Sequence, residues 1–241
     1  MLTVVNLGGK VLADAGKVEK IRSFIDDNRS TYRVIVVAPP GKRFPVDETI
    51  TELLYRFAHA PEKLKSQILE IVIGRFSQIV RGLHVSSSFN VGRYFLDARK
   101  AAMEMPEVNR PDYLVSRGSN AMALILSYAL NYGIFDAKDF IEVNASGDYN
   151  LGKIKENYTN GKGGLKDKLT LERKAPGGVV IPSSYGYSYK ETGYIKLFPR
   201  GRSNVTGDIM KMITGGFYKD VPNMEAIGHH RTSPVRVPQM Q

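Results

Sequence analysis

Short apolar runs and helically spaced apolar positions alternate along the first part of the chain. "LTVVNL" (2–7) is apolar, β-rich and bounded by Gly8-Gly9, which predicts a buried strand. "ADAGKVEKIRSFIDD" places Val18, Ile21, Phe24 and Ile25 on one helix face. "YRVIVVAPPG" predicts a second buried strand that ends in a Pro-Pro-Gly turn. Helical segments follow. "DETITELLYRFAHA" carries Ile50, Leu53, Leu54 and Phe57 at helical spacing, and "PEKLKSQILEIVIGRFSQIVRGL" opens with Pro61, favoured in a first turn. "SFNVGRYFLDARKAAME" and "RPDYLVSRGSNAMALILSYALNYG" complete the series.

Beyond Asp136 the pattern changes. "DFIEV" predicts a short strand, and the stretch 150–178 is polar and dotted with glycine. "GVVIPSSYGY" and "GYIKLFPRG" each predict a strand, and "NVTGDIMKMITGG" a helix ended by Gly215-Gly216. The tail "HHRTSPVRVPQMQ" has no periodicity and reads as loop. The alternation predicts an α/β fold with a mainly parallel sheet. Ligands of such sheets bind beyond the carboxyl ends of the strands, where Gly8-Gly9, Pro39-Pro40-Gly41 and Ser183 onward fall.

Composition narrows the chemistry. The 241 residues include no cysteine, which excludes disulfides and thiolate sites. His59, His84, His229 and His230 show no ligand spacing, so no metal site is expected. No signal peptide is read at the N-terminus. "AMALILSYALNYGIF" is too short to span a bilayer, so no membrane role and a cytoplasmic location are expected. The net charge of +10 favours anionic partners: nucleotides, phosphorylated metabolites or nucleic acid. No arginine-rich tract or RNA-binding signature accompanies it, so nucleic acid is not the favoured partner.

Several motifs fall in one order. They are "VVNLGGKVLADAGKVEKI", "VAPPGKRFPVDETITELLY", "VSRGSNAMALILSYAL", "FDAKDFI" and "VVIPSSYGYSYKETGYIKLFPRGRSNVTGDIM". Together they resemble the catalytic domain of aspartokinases, in the amino-acid kinase family, collinearly over residues 2 to about 220. The resemblance implies one three-layer α/β/α sandwich over 1–241. It implies a bound MgATP, if the protein is active, and phosphoryl transfer to the β-carboxylate of aspartate. It also suggests a homo-oligomer. The chain is read as short at its C-terminal end, without the ACT regulatory domains that usually follow.

The same resemblance assigns residues. Gly8, Gly9, Gly41, Gly201, Ser203 and Asp220 fall at nucleotide or phosphate positions, Asp220 within "YKDVPN". Thr51, Ser116, Arg117, Gly118, Ser119 and Arg200 fall at acceptor positions. Four family positions are substituted. Asn6 replaces the first-strand lysine, Ser119 the glutamate that meets the acceptor's ammonium, Asn204 the orienting aspartate, and Arg202 a glycine. Lys10 is new and is a candidate, with Arg200, for the catalytic cation. Removing one partner of a buried ion pair costs about 3–5 kcal/mol, whereas two asparagines can hydrogen-bond to each other. The altered charges favour a more anionic ligand and disfavour a zwitterionic amino acid.

Blander readings stand beside these. Lys42-Arg43 fits a solvated turn as well as a phosphate clamp. The basic stretch 151–175 fits a solvated arm as well as a nucleic-acid contact. Tyr185, Tyr187 and Tyr189 alternate on one strand face, for packing or for stacking a base. Three functions remain open: a phosphotransferase diverged from aspartate, an inactive homologue that binds or scaffolds, and a module that binds anions or nucleic acid through its basic surface.

Overall fold

The computed structural model describes residues 2–160, 177–189, 193–199 and 204–227. Its centre is a five-stranded sheet in the order β3-β4-β2-β1-β7. The strands are β1 (Thr3–Leu7), β2 (Tyr32–Val37), β3 (Gly133–Ile134), β4 (Val179–Pro182) and β7 (Phe217–Val221). Every pairing in it is parallel. A separate antiparallel pair joins β5 (Tyr185–Ser188) to β6 (Tyr194–Leu197).

Side chains alternate across a strand, and a sheet covered on both faces needs apolar residues at every position. That is why these strands read as continuous apolar runs. Val5, Leu7, Ile35 and Val37 enter one core, with α1 (Ala15–Asp26), α2 (Ile50–His59), α3 (Glu62–Gly82), α4 (Val91–Met103) and α5 (Arg110–Leu130). Val4, Val34 and Val36 enter a second core, with α6 (Leu151–Asn160) and α7 (Val205–Thr214). The three-layer α/β/α architecture expected from the motifs is therefore observed.

Local chemistry sets the helix ends. The Asp14 carboxylate caps α1 by accepting from the Lys17 amide, and Thr49 with Glu52 closes a reciprocal capping box on α2. Asn131 at φ 53° ends α5, and Gly215 at φ 62° ends α7 as expected.

Four elements differ from the sequence expectation. "DFIEV" is not a strand of the main sheet: Ala137–Asp139 form a 3-10 turn, and Glu142 and Val143 make only isolated bridges. The sheet's edge strand is instead Gly133–Ile134, because Asn131 turns the chain straight from α5 onto β4. The polar stretch after Asn150 holds α6, and β7 forms where only a motif remnant was read. Residues 161–176 and the tail from 228 lie outside the described residues. Among the described residues no helix is long and apolar enough to cross a membrane.

Candidate functional site

The carboxyl ends of β1 and β2 meet backbone to backbone. The Gly41 amide donates to the Gly9 carbonyl at 2.7 Å. A Cβ on Gly9 would stand 2.7 Å from the Pro39 carbonyl oxygen, and one on Gly41 would stand 2.7 Å from the Gly9 carbonyl. Only glycine permits this approach. Arg75 holds the arrangement from below. It lies in the apolar stripe of α3, is 4% exposed, and donates to the carbonyls of Gly41 and Glu48. Its guanidinium is 3.7 Å from Asp47, which also receives a two-pronged bond from Arg43 at 2.8 and 3.1 Å. Lys42-Arg43 is thus a structured turn, with Arg43 committed to a carboxylate.

Beside this junction lies a cavity of about 420 Å³. It brings together Gly9, Gly41, Thr51, Ser116 and Ser119, all expected from the sequence. Ser184 lines it too, within the stretch from Ser183 onward expected at the strand ends, and Tyr55, Glu52 and Phe198 also line it and were not anticipated. Ser184 sits at φ 77°, a region that non-glycine residues seldom occupy, and its amide donates to the buried Thr206 hydroxyl at 3.3 Å. No described residue lining the cavity is basic.

The "SRGS" residues take different roles. The Ser116 hydroxyl donates to the Tyr113 carbonyl at 2.7 Å and accepts from Arg117 at 3.0 and 3.2 Å. Arg117 is buried, its guanidinium 4.8 Å from the Tyr113 ring centre and 5.9 Å from that of Tyr185, and it does not line the cavity. Gly118 lets α5 approach α2: a Cβ there would be 3.0 Å from Ile50 and 3.1 Å from Leu54. Ser119 is buried and neutral, donating to the carbonyl of Ser183 at 2.9 Å or of Ser116 at 3.1 Å.

A buried polar network behind these residues was missed in the sequence. Tyr185 donates to Asp136 at 2.7 Å, Asn120 donates to Asp136 at 3.1 Å, and Tyr94 donates to Asn120 at 2.8 Å. Burial, then the Asp136 charge, holds the Tyr185 phenol far above its ordinary value, so it remains a donor. Of the alternating tyrosines, Tyr185 is core. Tyr187 and Tyr189 pack together with ring centres 4.5 Å apart.

The substituted strand end is self-satisfied. The Asn6 amide donates one proton to Asn204 at 3.1 Å and the other to Asp220 at 2.8 Å. Asn6 and Asp220 are register partners on β1 and β7, and Gly207 of α7 packs over Asn6 and Tyr218, where a Cβ would be 3.3 Å from that of Asn6. Lys10 follows in the 3-10 turn Gly9–Leu12, exposed and outside the cavity lining. Gly8 donates its amide to Val221 and is likewise outside the lining. Arg200, Gly201, Arg202 and Ser203 lie outside the described residues. Among the described residues no group of three or more side chains is placed to hold a metal ion.

No family profile matches the chain. Aspartokinase 3 of Bacillus subtilis (strain 168) is 23% identical over 244 residues, covering 94% of this chain and 49% of that protein. The crystal structure of Clostridium acetobutylicum aspartate kinase superposes with a TM-score of 0.74 at 27% identity, over 91% of this chain and 47% of that one. E. coli aspartokinase III, in complex with aspartate and ADP, gives 0.71 at 17% identity over 91% and 48%, a likeness of fold alone. The chain spans about half the length of these relatives. It is aspartokinase-like, with the amino-acid kinase fold and a similarity to the aspartokinase catalytic domain along nearly its whole length.

Proposed function

We propose that this chain is a diverged aspartokinase-like protein that keeps a cavity at the acceptor positions, binds a small molecule there, and has at most weak phosphotransferase activity. The observation that carries this reading is the Asn6–Asn204–Asp220 cluster at the substituted strand end, together with the cavity that Thr51, Ser116 and Ser119 line. Phosphoryl transfer depends on positioned positive charge. Asn6 supplies none, and both of its amide protons are already donated. As they stand, the described residues do not fit an efficiently used triphosphate.

A second reading, an inactive homologue that only binds, is favoured by the absence of a basic side chain among the cavity's described lining residues. Thermal shift separates ligands without assuming a reaction, because a bound ligand raises the melting temperature by mass action. Aspartate is expected to give no shift with wild type and a clear one with Ser119→Glu, since a carboxylate there can meet an ammonium group. Equal shifts in both proteins would overturn the assignment of Ser119 to the acceptor site. A shift with MgATP, followed by transfer to an anionic acceptor, would favour the first reading over the second.

A further inference from the structure

A second cavity, of about 510 Å³, lies further along the two helices that line the first. Helix α2 gives Thr51 and Tyr55 to the acceptor cavity and Phe57 and His59 to this one; α5 gives Val115 and Ser119 to the former and Arg110 and Leu114 to the latter. The two share helices but no lining residue.

The second cavity combines an apolar wall with a cationic rim. Phe57, Ala102, Met103 and Leu114 form the wall. Lys65, Arg99 and Arg110 line it too, each half-buried. Two carboxylates are near. Glu62 pairs with Arg99 and, at 3.1 Å, with Lys65, and Glu107 belongs to the lining. Arg110 has no ion pair among the described residues; its Nε donates to the Met105 carbonyl at 3.1 Å. The long helices α3 and α5 both begin here, and neither has a side-chain cap. The dipoles of both helices add positive potential.

From this geometry we infer that the second cavity is a binding site for a small organic anion, a carboxylate or phosphate carried on an apolar body. The anionic head meets Arg110 and Arg99, and the body lies against Leu114 and Met103. The volume falls within the range of small-molecule sites, about 300–1,000 Å³. The inference is independent of any transfer reaction.

The test titrates the full chain with phenyl phosphate and with 3-phenylpropionate, using 3-phenylpropanamide as the neutral control, by isothermal calorimetry. At least one anion is expected to bind, with the amide weaker by at least about tenfold, because charge-assisted bonds are roughly twice as strong as neutral ones. Preference between the two anions identifies the head group. Arg99→Gln with Arg110→Gln should weaken anion binding by about tenfold. Val108→Trp fills the cavity from a rim position that is 76% exposed, so folding is retained while binding is lost. The site is overturned if neither anion binds, if the amide binds equally well, or if Val108→Trp binds like wild type.

Discussion

At the scale of single residues, Arg75 is a cation where the apolar stripe of α3 calls for a hydrophobe, between Val72 and Phe76. That interruption of the pattern was visible in the sequence. Its role was not, because the Gly41 and Glu48 carbonyls that it binds come from a loop far along the chain. Arg75→Met leaves those two carbonyls without their buried donor and removes a charge that faces Asp47, and is expected to cost roughly 3 kcal/mol in urea unfolding. A loss below about 1 kcal/mol would mean that the loop is held by other contacts. Asp47 gives a pH signature. The bonds from Arg43 pull its carboxyl well below the usual carboxylate range, against the opposing effect of burial, and the Arg75 charge adds to the pull. A folded value below the unfolded one means stability that is fully present above about pH 4 and is lost as pH falls further. Asp47→Asn should therefore be less stable than wild type at pH 6, with a smaller further loss on acidification below about pH 4. Melting temperatures across that range check the sign. The pairing of Asn6 with Asn204 was inferable from the joint substitution and is observed. The second acceptor, Asp220, was not foreseen as Asn6's partner, because β7 was not recognised as the neighbouring strand.

Among the elements, strands buried on both faces and helices with clean apolar stripes were legible. The short edge strand Gly133–Ile134 was not, since two residues carry no periodicity and its place follows from the left-handed Asn131. "DFIEV" looks like a strand by composition, but Asp136 caps a 3-10 turn at its start by accepting from the Lys138 amide. The glycine pair reads in sequence as a turn at a phosphate position, whereas the structure makes Gly9 half of a loop-to-loop contact with Gly41. Gly9→Ala drives a Cβ into the Pro39 backbone, and Gly41→Ala drives one into the Gly9 backbone. Each is expected to destabilise by roughly 1–3 kcal/mol. Because both act on one contact, the double variant should lose less than the sum. Gly118→Ala is the comparison: its Cβ meets mobile side-chain ends, Ile50 Cγ2 and Leu54 Cδ1, and should cost less. Additive losses at 9 and 41, or a larger loss at 118, would contradict the junction as described.

For the whole molecule, the order of several motifs carried more information than any one of them. The fold was readable because strand, turn and helix signatures recur collinearly. Part of the candidate site was readable too, since Thr51, Ser116 and Ser119 converge on one cavity from separate motifs. That Arg117 lies against the Tyr113 and Tyr185 rings and that Gly118 faces α2 was not legible, because a motif records residue identity and not the side of the helix on which a side chain falls. The excess of positive charge, +10, remains a property of the whole surface that favours anions without choosing among them. The central proposal is that this aspartokinase-like chain phosphorylates aspartate poorly because Asn6, Ser119 and Asn204 are neutral. The most direct measurement is aspartyl phosphate formation from MgATP and aspartate, by wild type and by the triple variant Asn6→Lys, Ser119→Glu, Asn204→Asp. Ordinary kinases turn over at roughly 1–100 per second, and loss of a preorganised electrostatic contact costs about 10²–10³ in rate. The account predicts a wild-type rate at least about 10³ below that range and a measurable gain in the triple variant; a wild type that forms aspartyl phosphate at an ordinary kinase rate would contradict it.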